Sequence, residues 1–458
     1  MNIFIHRRDI RYVDNTTLYQ MMDQLQEPVI PIFIFTPEQI SENPYFSSNL
    51  VQFMCLSLQD LDQDYQKKKS KLYCFYGPII KVLSKIQAKF PIKNLGFNDD
   101  YSPYAKKRDH QIQQWCQKNK ITCWHQEDML LVNILNQKNY PNETPYKVFT
   151  PFMKYLKKTF PVSSPVVKKK LLLGVFPENP PGVISDQKIN SFYQHNPQLL
   201  VKPGRSQALI KLKKLSEQQT YTDNRNLLTY ETSHLSAYIN LGLISIREVY
   251  QMGNQVLKPG NTFIDELYWR DFYYNILHHF PHIVGKSFKD KYDNIKWDNN
   301  EEQFQLWCIG QTGFPIVDAC MRQLNTTGYM HNRGRMIVAS FLTKDLFIDW
   351  RWGEKYFATQ LTDYNISANN GGWQWSAGSG TDAQPYFRIF NPWTQIDKFD
   401  PQCQYIHKWV PELKGIPPKD IKKWDQTWEK YPECGYPKPM VNHKERYHYI
   451  LQQYKKYL

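Results

Sequence analysis

The sequence predicts an α/β doubly wound parallel sheet over residues 1–130 and an all-α domain over residues 201–458, joined by a long wrapping linker at 131–200. Short apolar runs alternate with helical patterns through the first ~130 residues. A proline-rich stretch follows, and from Pro203 onward β-branched alternation is rare and helical spacing dominates. A chain of 458 residues also exceeds what one core holds and suggests about two to four domains.

Strands are expected at Asn2–His6, Val29–Phe35, 71–76, 94–97 and 121–124. The run Val29–Phe35 is nearly all apolar, as a strand covered on both faces requires. Helical patterns at 46–62, 79–90 and 104–118 fall between the strands, which is the signature of a parallel doubly wound sheet. No GxGxxG follows the first strand. His6-Arg7-Arg8-Asp9 stands there instead, which argues against a nicotinamide cofactor. The linker holds many prolines and the triplet Lys168-Lys169-Lys170, and a connection of that length is usually functional or wraps over a surface. Beyond it, helices are expected at 206–215, 264–280, 315–324, 333–346 and 352–361.

Composition narrows the function classes. Lys and Arg number 57 against 43 acidic residues, a formal charge of +14. That balance favours a polyanion such as nucleic acid, and by itself would also suit a membrane surface. Aromatics make up 15% of residues, ample for stacking as well as packing. The eight cysteines form no CxxC pair and read as reduced thiols of a soluble, intracellular protein. No apolar run reaches membrane-spanning length and no signal-peptide core is present, so no membrane role is expected.

Four motifs carry chemistry. Asn369-Asn370-Gly371-Gly372-Trp373-Gln374-Trp375 joins amides, glycines and indoles. Its glycines would let backbone approach a flat ligand, and its amides offer donors and acceptors to the ligand's edge. A glycine-containing turn with core tryptophans is the plainer alternative. Thr232-Ser233-His234-Leu235-Ser236 precedes an apolar run, with Tyr221 and Arg225 upstream. Hydroxyls at a helix N-terminus suit either a simple cap or a phosphate. Glu266, Trp269, Arg270 and Tyr273 share one helical face, an unusual mix for a core and otherwise a solvated one. In His331-Asn332-Arg333-Gly334-Arg335-Met336, the pair Asn332 and Met336 share a face. The cluster His278-His279-Phe280-Pro281-His282 lacks companions at zinc spacing and reads as structural, so no metal is expected.

These motifs closely resemble those of the photolyase/cryptochrome family, and the resemblance runs from His6-Arg7-Arg8-Asp9-Ile10-Arg11 to Tyr436-Pro437-Lys438-Pro439. It implies FAD as cofactor, active as FADH⁻. It places Tyr221, Thr232, Ser233, His234, Leu235, Ser236, Phe263 and Arg270 on the cofactor, with Arg335 paired to Asp363 beside the flavin and Asn369 facing flavin N5. It gives Glu266, Trp269, Asn332, Met336 and Trp375 to the lesion, with Arg225 and Arg333 on the DNA. Trp373, Trp350 and Trp297 match the family's electron-transfer chain through their contexts WQW, IDWR and IKW. Asn365 departs from the family's usual aspartate near the flavin's pyrimidine edge, so flavin tuning is expected to differ.

The subfamily is also read by resemblance. Six-four photolyases carry histidines at the positions of Asn332 and Met336, and DASH-type cryptochromes usually a glutamine at the latter. The Asn/Met pair, with Glu266 and Trp375, matches class I cyclobutane pyrimidine dimer photolyases. The expected function is therefore light-driven dimer repair in DNA by a monomer. The alternatives are a blue-light photoreceptor signalling through a protein partner, disfavoured by Asn369 and the lack of residues past Leu458, and a six-four photolyase. A second, antenna chromophore is expected without a fixed identity. Lys107 precedes Arg108-Asp109 where the best-known folate-binding members have a carboxylate.

Overall fold

The computed structural model describes residues 1–133 and 140–457; residues 134–139 of the expected linker lie outside the described residues. The first part of the chain runs β1 (Asn2–His6), α1 (Thr16–Leu25), β2 (Val29–Phe35), α2 (Ser48–Gln66), β3 (Tyr73–Tyr76), α3 (Ile79–Lys89), β4 (Asn94–Asn98), α4 (Pro103–Lys118) and β5 (Thr122–Gln126). The five strands form one parallel sheet in the order β3-β2-β1-β4-β5. Every residue of β1 and β2 is buried, as strands covered on both faces must be. Ile30, Ile32 and Ile34 face the core made with α3 and α4, while Phe33 and Phe35 face the one made with α2. Pro31 is tolerated because β2 pairs with β3 only from Ile32 onward, so one ladder is absent beside it.

Boundaries shift for local reasons. β3 begins at Tyr73 rather than 71 because the Asp62 carboxylate takes the Leu72 amide at 2.7 Å, before the ladder starts. α2 runs on past 62 because Tyr65 continues its buried face and its hydroxyl meets His6 Nε2 at 2.7 Å. The linker is not bare coil. It forms α5 (Phe149–Thr159) and adds isolated bridges to the sheet, Val29 to Leu173 and Phe75 to Val183.

The remainder is helical, and its helices include α6 (Arg205–Lys213), α7 (Ser236–Asn240), α8 (Ile246–Val256), α9 (Phe263–His279), α10 (Glu301–Ile309), α11 (Pro315–Thr327), α12 (Asn332–Ser340), α13 (Trp350–Gln360), α14 (Ile366–Ala377) and α15 (His443–Lys455). The helix expected at 333–346 ends as α at Ser340 and continues as one π turn, Phe341–Asp345. That wider turn carries two buried ionisable side chains that reach other elements. Lys344 Nζ donates to the Ala377 carbonyl at 3.1 Å, and Asp345 pairs with His443.

A buried ionic cluster fastens the sheet to the helices. Arg11 reaches Asp128 at 2.6 Å, and Arg247 of α8 reaches Asp14 and Asp128, both at 2.8 Å. Burial pushes the Asp128 carboxyl up, but Arg11 and Arg247 outweigh it, so the group lies below its ordinary range. Removing one partner of such a cluster strands the others in low dielectric. Arg247→Met is therefore expected to destabilise the fold by about 3–5 kcal/mol, read as a lowered thermal midpoint. An unchanged midpoint would show that the cluster does not hold the two parts together.

Candidate active site

Two helices approach closely enough to set the width of the site. Gly371 on α14 faces Tyr273 on α9, and a Cβ at position 371 would lie 2.2 Å from the tyrosine ring. Trp269 is one turn before Tyr273 and Trp375 one turn after Gly371, so this contact spaces both indoles. The amide-glycine-indole segment is thus helix interior rather than a turn. Its start is fixed by Asn365, whose Oδ1 accepts from the Ser367 and Ala368 amides, each at 3.1 Å. Gly371 serves helix–helix contact, whereas Gly372 has open space around it.

Trp269 rests on a residue that the sequence did not mark. Phe149, at the head of α5, stacks on it with centroids 3.7 Å apart and planes 10° from parallel. The Phe149 amide donates to Asp382 at 3.1 Å, and the Thr381 hydroxyl to the Lys147 carbonyl, so the linker is bolted to the loop after α14. Phe149 is buried and Trp269 half-buried, and Tyr273 lies 5.7 Å from the same indole with planes 30° apart. At the same mouth Glu266 pairs with Arg225. Burial raises the Glu266 carboxyl above its ordinary range, and Arg225 opposes that rise. Arg225 also lies 6.0 Å from the Tyr221 ring, which packs edge-on against Phe263 at 5.7 Å. Arg270 shares the helix but turns away, to the Met129 carbonyl at 2.6 Å and over the Tyr274 ring.

α12 supplies the facing wall. The His331 ring caps it by accepting from the Arg333 amide at 3.1 Å. Asn332 is exposed and Met336 half-buried, with Asn332 Nδ2 3.8 Å from Met336 Sδ along one face. Arg333 is held by Asn226 Oδ1 at 2.7 Å and lies over Phe399. Arg335 pairs with Asp363 at 2.8 Å, as expected, and the Ser236 hydroxyl donates to the same carboxylate at 2.6 Å. Burial lowers Arg335 and Asp363 raises it, with a net rise, so the cation is secure.

The hydroxyl cluster is less regular than expected. α7 has five residues, and its cap position is Leu235, with no side-chain cap bond. Thr232 instead shares a hydrogen bond with the Tyr329 hydroxyl at 3.3 Å, and His234 sits at φ 51° beside the same ring. Burial pushes His234 down to about 4, so the ring is neutral near pH 7. Thr232 and Ser233 line a cavity of about 190 Å³ with Lys211, Lys214 and Tyr230. Glu217 and Glu231 line the same cavity, and Glu231 pairs with Lys211 at 3.2 Å, so the lysines and hydroxyls there offer donors to an anionic dinucleotide in the company of two carboxylates.

Asn365 is engaged at both ends. Beyond the cap, its Nδ2 donates to Asn240 Oδ1 at 3.1 Å and to the Tyr274 hydroxyl at 2.6 Å, and Arg8 from the loop after β1 binds the same Asn240. Asn369 Nδ2 donates to the Glu354 carbonyl at 3.0 Å. Burial raises the Glu354 carboxyl to about 7, a feature with no sequence signal because α13 reads simply as amphipathic. Of the three expected electron carriers, Trp373 and Trp350 are buried and Trp297 half-buried. Gly353 lets α13 meet Trp373, since a Cβ there would lie 2.1 Å from the indole.

Two family models match. One, described as the FAD binding domain of DNA photolyase, covers residues 263–456, and the other, described as DNA photolyase, covers residues 2–169. A deoxyribodipyrimidine photo-lyase of Synechococcus sp. is 35% identical, with 97% of this chain and 94% of that one aligned. The archaeal photolyase of Sulfolobus tokodaii, solved with two FAD molecules, is 38% identical over the whole of both chains, with a TM-score of 0.89. The class III photolyase of Agrobacterium tumefaciens is 31% identical over 99% of this chain and 97% of that one, with a TM-score of 0.91. Both family models, matching 2–169 and 263–456, and relatives at 35–38% identity over nearly the whole chain agree, and the chain belongs to the DNA photolyase family.

Proposed function

We propose that the mouth framed by Trp269, Trp375, Glu266, Asn332 and Met336 takes a flipped-out dimer, and that the groove lined by Arg335, Asp363 and Asn369 holds FAD behind it. The chain repairs cyclobutane pyrimidine dimers in DNA with light, as its family does. The observation that carries the residue assignment is the Gly371–Tyr273 contact, which brings the lesion-facing indoles and Asn369 onto one short stretch of α14 and its neighbour.

Each residue then has a physical task. The half-buried Trp269 indole, backed by Phe149, stacks on a base. Glu266 and Asn332 meet the polar edges of the dimer, and Met336 packs softly against a ring. Arg225 and Arg333 hold phosphates, an attraction that weakens with salt. A dimer stacks poorly in duplex DNA, which lowers the cost of flipping it out. FAD, when bound in its reduced form, supplies the photoexcited electron that opens the cyclobutane ring and receives it back. The protein binds, orients and excludes water. Asn369 is a neutral amide, so it can hydrogen-bond the flavin edge without donating an acidic proton. We read the protein as acting as a monomer, since the tasks assigned above call on no residue of a second copy. Eight free thiols support a reducing, intracellular setting, and among the described residues no helix is long and apolar enough to cross a membrane.

A second chromophore is supported at the sheet's switch point, between the carboxyl ends of β1 and β4. Among the described residues, buried Arg7 Nε and Nη2 and Arg108 Nη2 find no acceptor there. Such donors suit a phosphate-bearing ligand better than an uncharged one. Denaturing the purified protein should release that chromophore together with FAD, and Arg7→Met should lose it while keeping FAD. Equal release from both proteins would remove Arg7 from the site.

The asparagine–methionine pair supports dimer repair over six-four repair. Asn332→His combined with Met336→His should abolish dimer repair by pre-reduced enzyme under blue light, with flavin content normal, and should not create six-four repair. Two imidazoles replace an amide and an apolar surface with groups that titrate at about pH 6.5. Full dimer repair by the double variant would take this helix face away from the lesion.

A further inference from the structure

We infer that Cys116 and Cys123 form a reversible redox site, at which a small-molecule disulfide oxidises the two thiols to one disulfide that joins the last turn of α4 to β5. The site lies at the edge of the sheet and draws on no residue of the mouth or of the flavin groove.

Backbone geometry brings the two sulfurs together. Cys116 lies in the last turn of α4, one turn after Ile112, on the face that packs against the sheet. The Ile121 amide donates to the Cys116 carbonyl at 2.9 Å, which turns the chain tightly from α4 into β5. Side chains alternate along an extended chain, so Cys123 falls on the same face as Ile121, under α4. Trp124, on the opposite face, packs with Leu18, Met21 and Met22 of α1 instead. Cys116 is buried, and Cys123 is half-buried against the same apolar cluster. The Cys116 thiol donates a hydrogen bond to Cys123, so the two sulfurs are in contact.

The two thiols differ in character. The hydrogen bond from Cys116 holds Cys123 below its ordinary range, with help from His125 and Arg7 and against burial and Asp109. The same bond, with burial, pushes Cys116 up. His125 stacks on Phe97 at 5.7 Å with planes 14° apart, and its pair with Asp99 at 2.9 Å favours the imidazolium. Arg7 lies over the same Phe97 ring at 4.0 Å. The thiolate is the attacking form, so Cys123 is the nucleophile and Cys116 the resolving thiol. β5 ends the sheet and pairs only with β4, which leaves Cys123 open to solvent from the free edge. Elsewhere burial pushes Cys55, Cys308, Cys320 and Cys403 up to about 12 and raises Cys74 as well, so those thiols stay neutral.

The exchange takes two steps. The Cys123 thiolate attacks one sulfur of the small disulfide, an S–S bond forms to Cys123, and one small thiolate leaves. Cys116 gives its proton to that thiolate and attacks the Cys123 sulfur; the Cys116–Cys123 bond forms and the second small thiolate leaves. The two cysteines lose two electrons, and the oxidant takes them up as two reduced thiols. Excess reduced thiol runs the steps backwards, which makes the mark reversible. A transient bond of this kind is compatible with a reducing compartment.

The test incubates full-length, FAD-loaded protein with oxidised glutathione, denatures it, alkylates the remaining thiols and digests it with trypsin without reductant. Cys116 and Cys123 should escape alkylation. Cleavage after Lys118 and Lys120 leaves them on separate peptides, which should stay joined until dithiothreitol parts them. Cys123→Ser should leave Cys116 fully alkylated, and Cys116→Ser should stop at one glutathione on Cys123. FAD content and thermal midpoint are read for every variant, and the half-buried position Cys123 keeps the test valid where the core change at Cys116 unfolds the protein. Full alkylation of Cys116 and Cys123 in the parent protein would overturn the inference. So would a parental loss of Cys116 alkylation in Cys123→Ser, or a disulfide that joins either cysteine to a different one.

Discussion

The absent side chain at Gly371 fixes more of this molecule than any single bond. With no Cβ there, the Tyr273 ring of α9 seats against α14, where a Cβ would lie 2.2 Å from it. From that contact the spacing of Trp269 and Trp375 follows by helical repeat, and so does the placing of Asn369 and Trp373 on the far side of the same helix. A second close approach, Gly353 against Trp373, sets α13 in the same way. The site is held by packing constraints first and by polar bonds second. That order suits a reaction in which the cofactor carries the chemistry and the protein supplies distance and orientation.

The polar interactions then fix direction. Asp363 gathers Arg335 and the Ser236 hydroxyl, so three elements meet at one carboxylate. Asn365 caps α14 with its oxygen and ties to Asn240 and Tyr274 with its nitrogen, which connects the helix to Arg8 in the loop after β1. A carboxylate at 365 could cap as well but could not donate to Asn240 or Tyr274. The substitution therefore matches its surroundings: Arg8 supplies a cation to the network, and an amide lets the chain of hydrogen bonds run through without a second charge.

Much of this was legible in the sequence, for identifiable reasons. β2 was plain because a strand buried on both faces leaves an unbroken apolar run. The faces of α9 and α12 were plain because charged and aromatic residues at helical spacing stand out from a core pattern. The Arg335–Asp363 pair was legible through the family resemblance. Phe149 was not, since one aromatic at the head of a linker helix looks like any packing residue until its partner 120 positions away is seen stacked on it. The Gly371 contact was hidden for a related reason. Paired glycines suggest close approach to a flat ligand or, more plainly, a turn, and only tertiary packing shows that one of them serves a helix–helix contact. The hydroxyl cluster at 232–236 suggested a regular cap, but Thr232 is drawn to Tyr329 and the following helix is one turn long. Glu354 carried no signal because its raised pKa comes from burial, which a sequence does not display.

The most direct measurement is dimer repair per bound FAD in Gly371→Ala, alone and combined with Tyr273→Leu, using pre-reduced enzyme and saturating dimer-containing oligonucleotide. A methyl group at 371 must displace the tyrosine ring or part the helices, and a misplacement of about 1 Å can cost about a hundredfold in rate. Gly371→Ala should therefore lose repair by about that factor, and the smaller, flexible leucine should restore part of it. Repair at the parental rate by Gly371→Ala, with full FAD, would contradict the claim that this contact sets the geometry of the site.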